Sequence, residues 1–271
     1  MNMTTQSPYL QLITRLGNTR HPGGLKLSEE LLKKIDIKKS FRVLDVGCGA
    51  GHTSAFVAES FGCNVVGVDI SEDALAQARA LYGKEPFFEQ LNFIPSSLSY
   101  LPFSDGYFDI VLCESVLLFV KDKKQALDEI TRVLKPGGHL IINELCLTQN
   151  KGRKMLKAYF ARPELGAFLV TTDTYVDYFP SGLWELLLQD ERAFSLSEQI
   201  VSDISQFGNQ KSFFQLLEFA YQIINDDKMR KDIWHLTKFF FHMPPKALSQ
   251  LISLRLLLQK KLQIDEEILQ G

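Results

Sequence analysis

At 271 residues, with 45% of them hydrophobic, the chain can bury one substantial core and a smaller satellite. Its 30 lysines and arginines stand against 32 acids, and a formal charge of −2 gives no broad attraction to a phosphate backbone, so nucleic acid is not an expected partner. The opening stretch MNMTTQSPYLQLITRLGNTR has no apolar core of signal-peptide length, and no later run approaches the ~18 uninterrupted apolar residues of a membrane span. A cytoplasmic location without a membrane partner is therefore expected. Cys48, Cys63, Cys113 and Cys146 lie in apolar stretches without metal-ligand spacing, as small buried thiols of a reducing compartment would.

In chain order, Ser28 opens SEELLKKI, where Leu31, Leu32 and Ile35 recur at helical spacing behind a serine N-cap. Phe41 to Val46 is short and apolar and runs into glycines, as a buried parallel strand before a tight turn does. The spacing then predicts a helix from His52 to about Ser60 and a strand from Asn64 to Asp69. Ser71 opens the next helix, with Glu72 and Asp73 in its first turn. A short strand near Asn92 to Pro95, a stronger one at Phe108 to Leu112, a helix from about Lys124 to Leu134 and a strand at His139 to Leu145 continue the alternation. This is the pattern of an α/β fold, a doubly wound, mostly parallel seven-stranded sheet with helices on both faces.

After Cys146 the rhythm breaks. The basic stretch KGRKMLKAYFAR is helical in pattern, with Lys151, Arg153, Lys154 and Lys157 on a solvated face, and an aromatic-rich stretch with Tyr175, Tyr178, Phe179 and Trp184 follows. Phe194 to Val201 has the look of a strand. Residues from about Asn209 to Ser249 are mainly helical in pattern, with Phe213, Phe214, Leu217, Tyr221 and Ile224 on one apolar face. The run LISLRLLLQKK, Leu251 to Lys261, suits helix or strand by period, and is taken as the last strand, parted from its hairpin partner by a helical insertion. The expectation is one domain: a cofactor-binding half at 28–146, helical additions at 147–208 and 209–250 capping the substrate, and a final strand at 251–261.

The chemistry concentrates in VLDVGCGAG, Val43 to Gly51. Gly47, Gly49 and Gly51 let the backbone approach a ligand, and the helix that follows offers free N–H groups. A glycine turn alone is weak evidence, since a plain strand-to-helix turn looks the same. Asp69 closes the next strand at about the ~20-residue offset at which an acid meets ribose hydroxyls, and an adenosine-containing cofactor follows. Only Ala50 separates Gly49 from Gly51, whereas a dinucleotide fingerprint leaves two residues there. Asp45, two places before Gly47, would repel a pyrophosphate and neutralise an ammonium. Both features disfavour the alternative of a nicotinamide-dependent oxidoreductase. A cofactor-binding protein without catalysis stays open.

With these residues in place, the sequence resembles the class I, Rossmann-like S-adenosylmethionine-dependent methyltransferases, especially those acting on small molecules. The motifs that carry the resemblance are LDVGCGAG (Leu44 to Gly51), LPFSDGYFDIV (Leu101 to Val111) and LKPGG (Leu134 to Gly138). It implies transfer of a methyl group from S-adenosyl-L-methionine to a small-molecule acceptor. It also implies that Gly47, Gly49 and Gly51, with Cys48 among them, line the methionine part of the donor, and that Asp45 lies near its amino group. Asp69 would hold the ribose, Ile70 would pack on the adenine, and Glu114 and Ser115 would reach the methionine side, partly through backbone atoms. At the adenine edge the family often has an acid followed by alanine, where this chain has Ser97 and Leu98.

Glu114, in the apolar run CESVLLF, is the candidate to orient the acceptor or take its proton, with Glu144 at the end of the fifth strand in support. A structural hydrogen bond is the plainer account of either carboxylate. LKPGG supports the fold, Pro136 stopping a helix and the glycines turning into a strand. His139 belongs to that strand, and His52 suits a solvent or cofactor-edge role. His21, in HPGG, marks either a simple turn or an element closing over the cofactor.

Overall fold

In a computed structural model the chain is described over residues 24–148, 153–163, 165–193 and 251–262, with Ser7, Tyr9, Leu10 and isolated positions between 225 and 234. Helix α1, Gly24–Leu32, precedes the first strand. Then follow β1 (Arg42–Val46), α2 (His52–Phe61), β2 (Asn64–Asp69), α3 (Glu72–Tyr82), β3 (Leu91–Pro95), β4 (Phe108–Glu114), α4 (Lys123–Val133) and β5 (Leu134–Leu147). Past β5 come α5 (Arg153–Phe160), α6 (Thr172–Asp177), β6 (Trp184–Ala193) and β7 (Leu251–Lys260).

The seven strands run β3-β2-β1-β4-β5-β7-β6, with β1 to β5 parallel and β7 antiparallel to both of its neighbours. The strand order reverses between β1 and β4, and the carboxyl ends on either side of that point border the crevice in which open α/β sheets bind ligands. Alternation along the strands gives two cores. Val43, Ile110, Leu112 and Ile141 pack with α1, α2 and α3 on one face, and Leu44, Val111, Ile142 and Leu256 pack with α4 on the other. A third core joins Leu118, just past β4, to Leu147, Leu156, Tyr159, Phe160 and Leu169. The described residues around α5 therefore pack beside the end of β4 and β5, at the carboxyl edge of the parallel strands.

Several expectations are corrected. Ser28 is no N-cap: α1 begins at Gly24, and Ser28 is buried inside it. LKPGG does not part helix from strand, because β5 starts at Leu134 and pairs with Phe108, taking up the extra residues as a register shift between Phe108 and Ile110. Gly138 has to be glycine in that irregular stretch, since a β-carbon would sit 2.9 Å from the carbonyl oxygens of Asp109 and Lys135. The partner of β7 is β6, which the sequence does not announce, because as an edge strand it leaves most of its side chains in solvent. The strand expected at Phe194 to Val201 lies outside the described residues, as do His21, Lys151 and the apolar face expected from Phe213 to Ile224. Ser71 does cap its helix, accepting the Ala74 amide at 3.3 Å. Among the described residues no helix is long and apolar enough to cross a membrane.

Candidate active site

Strand β1 hands over to the glycine loop at Gly47, where a β-carbon would stand 2.4 Å from a Val116 methyl. The loop therefore touches the segment that follows β4. A β-carbon on Gly51 would likewise strike the Phe93 ring at 2.7 Å, so this glycine serves packing. Gly49 is different: its φ is +54°, and among the described residues nothing lies within 4 Å of its would-be β-carbon. Its backbone borders open space at the start of α2.

Asp69 ties the next strand to this loop. One carboxylate oxygen accepts the Gly49 amide at 3.0 Å and the other the Ser71 amide at 2.8 Å. Burial raises its pKa above the ordinary carboxylate value, against these hydrogen bonds. Two oxygens offer about four acceptor positions, so capacity remains for hydroxyls of a ligand. Beside it Ile70 is 56% exposed, an apolar surface next to a polar clamp. Ser97 is exposed and its hydroxyl oxygen accepts the Ser99 amide at 3.2 Å, while Leu98 turns its side chain into the core.

Two further acids face the α1 and α2 side. Asp45 is buried and accepts the Ser54 hydroxyl at 2.6 Å. Burial pushes its carboxyl up to about 7, and the charges of Glu114 and Asp69 add to the rise that the Ser54 hydrogen bond opposes. Glu114, 9% exposed, accepts the Ser28 hydroxyl at 2.8 and 3.1 Å and the Thr53 hydroxyl at 3.4 Å. The sequence gives no sign of Ser28, Thr53 and Ser54 as site residues. Their one trace is a hydroxyl at a helix position that packing demands be buried.

Glu144 points to the opposite face. It accepts the amides of Val116, Leu117 and Leu118 at 2.8, 2.7 and 3.3 Å and thereby shapes the turn after β4. Burial pushes it up to about 7 against those amides and the nearby Lys123. Lys123, itself buried, is pushed down to about 8 and donates to the Val120 carbonyl at 2.8 Å. Ser115 adopts φ +55°, rare for a residue with a side chain, and its amide donates to the Asn143 carbonyl at 2.8 Å. Such strain persists only where surrounding contacts over-determine it.

The remaining candidates have structural settings. The Cys48 side chain lies against β2, where a β-carbon on Gly67 would come within 2.8 Å of its sulfur. His52 shares a hydrogen bond of 2.6 Å with the Tyr82 hydroxyl and so bridges α2 and α3. His139 lies inside β5, and burial lowers its pKa. In LPFSDGYFDIV the acids are staples: Asp105 pairs with Arg132 at 2.8 Å, and Asp109 accepts Lys135 at 2.6 Å and the Arg42 amide at 2.8 Å.

Comparison with known proteins bears on the same stretch of chain. Residues 44–142 match the family model described as a methyltransferase domain. The match spans β1 to β5, the strands that carry the glycine loop and Asp69. An uncharacterized protein of Haemophilus influenzae is 38% identical over 148 residues, 54% of this chain and 59% of its own length. The methyltransferase GfsG of Streptomyces halstedii is 32% identical over 122 residues, 45% of this chain and 44% of its own. The chain thus spans about half the length of these relatives. The solved phosphoethanolamine N-methyltransferase 2 of Haemonchus contortus, in complex with S-adenosyl-L-methionine, shares the fold with a TM-score of 0.67 at 19% identity, covering 91% of this chain and 54% of that one. The domain has the class I methyltransferase fold, with one antiparallel strand near the edge of its sheet.

Proposed function

We propose that the chain is an S-adenosyl-L-methionine-dependent methyltransferase whose acceptor is a small molecule. One observation carries the reading: Asp69 clamps the glycine turn at Gly49, whose β-carbon position faces open space, beside the exposed face of Ile70, and the charges of Asp69 and Glu114 both act on the buried Asp45. That set suits a ligand with vicinal hydroxyls, a flat apolar base and a cationic end. A pyrophosphate would bring negative charge to the same acids, which disfavours a nicotinamide dinucleotide.

The residues present fit the donor. Asp69 would hold the ribose, Ile70 would cover the adenine, and the amides at the Gly49 turn and Ser115 would border the methionine end, with Asp45 and Glu114 balancing its charge. Ser97 and Leu98 would offer the adenine edge mainly backbone groups. The bound donor supplies an already activated methyl group, whose transfer leaves the bonding electron pair on sulfur. The protein's share is alignment and exclusion of water. Glu114, held by two hydroxyls, is placed to orient an acceptor or take its proton, whereas Glu144, spent on three amides, supports the turn that carries Ser115. The third core brings Leu156, Tyr159, Phe160 and Leu169 together with Leu118, with the Phe168 amide on the Leu118 carbonyl at 2.6 Å, and these residues would wall the acceptor side. Four free thiols suit a cytoplasmic enzyme.

The test is calorimetric titration with S-adenosyl-L-methionine and, separately, with nicotinamide dinucleotides. S-adenosylhomocysteine release is then followed with hydroxyl- and amine-bearing small molecules. Saturable binding of the methyl donor and acceptor-dependent product are expected. Binding of a dinucleotide in its place would overturn the reading.

A further inference from the structure

A row of polar side chains crosses the sheet beneath α1. Glu114 on β4 stands opposite Asn143 on β5, Asn143 opposite Arg255 on β7, and Arg255 opposite Asp190 on β6. Four neighbouring strands thus contribute one residue each at the same level. The side chains face α1, because Glu114 receives the Ser28 hydroxyl at 2.8 Å and Arg255 pairs with Glu30 at 3.2 Å. Arg255 is 4% exposed and also pairs with Asp190, and Asn143 accepts the Ser253 hydroxyl at 3.3 Å. Apolar contacts from Leu27, Leu31 and Leu32 would be enough to hold an amphipathic helix on this face. Polar anchors at two points go beyond that need, and one of them ends on a carboxylate of the candidate site.

We propose that Ser28 is a positioning residue for Glu114, and that α1, anchored through Glu30 to Arg255, holds the hydroxyl where it fixes the direction of that carboxylate toward the methionine end of the donor. The inference rests on the reading of the pocket as a methyl-donor site. A buried carboxylate with a short, flexible stem has several rotamers, and a hydroxyl bonded to both of its oxygens selects one. The Thr53 hydroxyl, at 3.4 Å, is the weaker partner. Glu30 and Arg255 add directional restraint, because the planar guanidinium reaches Glu30 with one terminal nitrogen and Asp190 with the other. The outer hairpin of the sheet therefore acts on the donor pocket through one helix and one hydroxyl.

The experiment is a double-mutant cycle read by calorimetric affinity for S-adenosyl-L-methionine, with melting temperature measured in parallel. Ser28→Ala should weaken donor binding roughly three- to tenfold, the range of one lost hydrogen bond to a charged group. Glu114→Gln should weaken it at least as much, and the double variant no further than Glu114→Gln alone, because a positioning hydroxyl acts through that carboxylate. Glu30→Gln, at an exposed surface position, should weaken binding in the same direction by less, and covers the case in which Ser28→Ala fails to fold. Effects of Ser28→Ala and Glu114→Gln that add, or a lowered melting temperature with unchanged affinity, would reduce Ser28 to a helix-docking residue and overturn the proposal. If the wild-type chain binds no S-adenosyl-L-methionine at all, it is the methyl-donor reading that fails. Binding by the wild type with full affinity retained in Ser28→Ala sinks the positioning role alone.

Discussion

Single residues in the glycine loop divide into those that pack and those that face open space, and substitution separates the two. Gly49→Ala places a methyl in open space at φ +54°, so its structural cost is confined to the left-handed backbone, about 1–2 kcal/mol. The same methyl intrudes on that space, and affinity for S-adenosyl-L-methionine should fall at least tenfold, a loss of about 1.4 kcal/mol or more. Calorimetry beside a denaturant titration checks both, and full affinity would remove Gly49 from the site. Asp69→Ala removes a charged acceptor and also releases the Gly49 and Ser71 amides. Donor binding should weaken by at least tenfold, given about 1.5–3 kcal/mol for hydrogen bonds to a charged group. Unchanged affinity would sink the ribose assignment. Asp69 is legible in the sequence because a strand ending in an acid at a fixed offset from glycines is a local pattern. Ser28 is not, because its partner lies 86 residues away and only packing brings them together.

Among the elements, the turn after β4 depends most on one side chain. Glu144 holds three successive amides there, and Val116 of the same turn touches Gly47. Glu144→Gln can keep at most part of this, since its amide nitrogen is a donor facing donors. A loss of about 1–3 kcal/mol in stability is expected, together with weaker donor binding. Chemical denaturation measures the first. Intact stability with abolished methyl transfer would instead return Glu144 to a catalytic role. The elements from β1 to β5 follow the sequence closely: β2 spans Asn64–Asp69 as its residue pattern requires, and α2 begins at His52. Local propensity and burial agree there. They part company at β6, where WELLLQDERA carries exposed leucines and acids and becomes a strand because β7 supplies the partner.

For the whole molecule, the buried acids make stability and donor affinity depend on pH together. Burial pushes Asp45 and Glu144 up to about 7, above their unfolded values. Between the unfolded and folded values the native state holds protons that the unfolded chain has released. These two groups therefore lower stability as pH rises through that window, and the effect is complete above about 7. A cationic ligand beside Asp45 favours the ionised carboxylate, so the melting-temperature gain from S-adenosyl-L-methionine should be larger at about pH 8 than at about pH 6. Thermal scans at the two pH values test this, and equal gains would place Asp45 away from the donor's cationic end. The sequence by itself determined the parallel α/β core, the glycine loop, the place of Asp69 and the resemblance to a methyl-donor family, because each is written in residues close together along the chain with a period or spacing of their own. Only the tertiary structure decided that Glu114 and Glu144 face opposite sides of the sheet, that Ser28, Thr53 and Ser54 complete the acid cluster, and that Arg255 and Asp190 extend it to the outer edge. Those relations join residues far apart in sequence, and strand register and helix docking, which no local pattern encodes, bring them together.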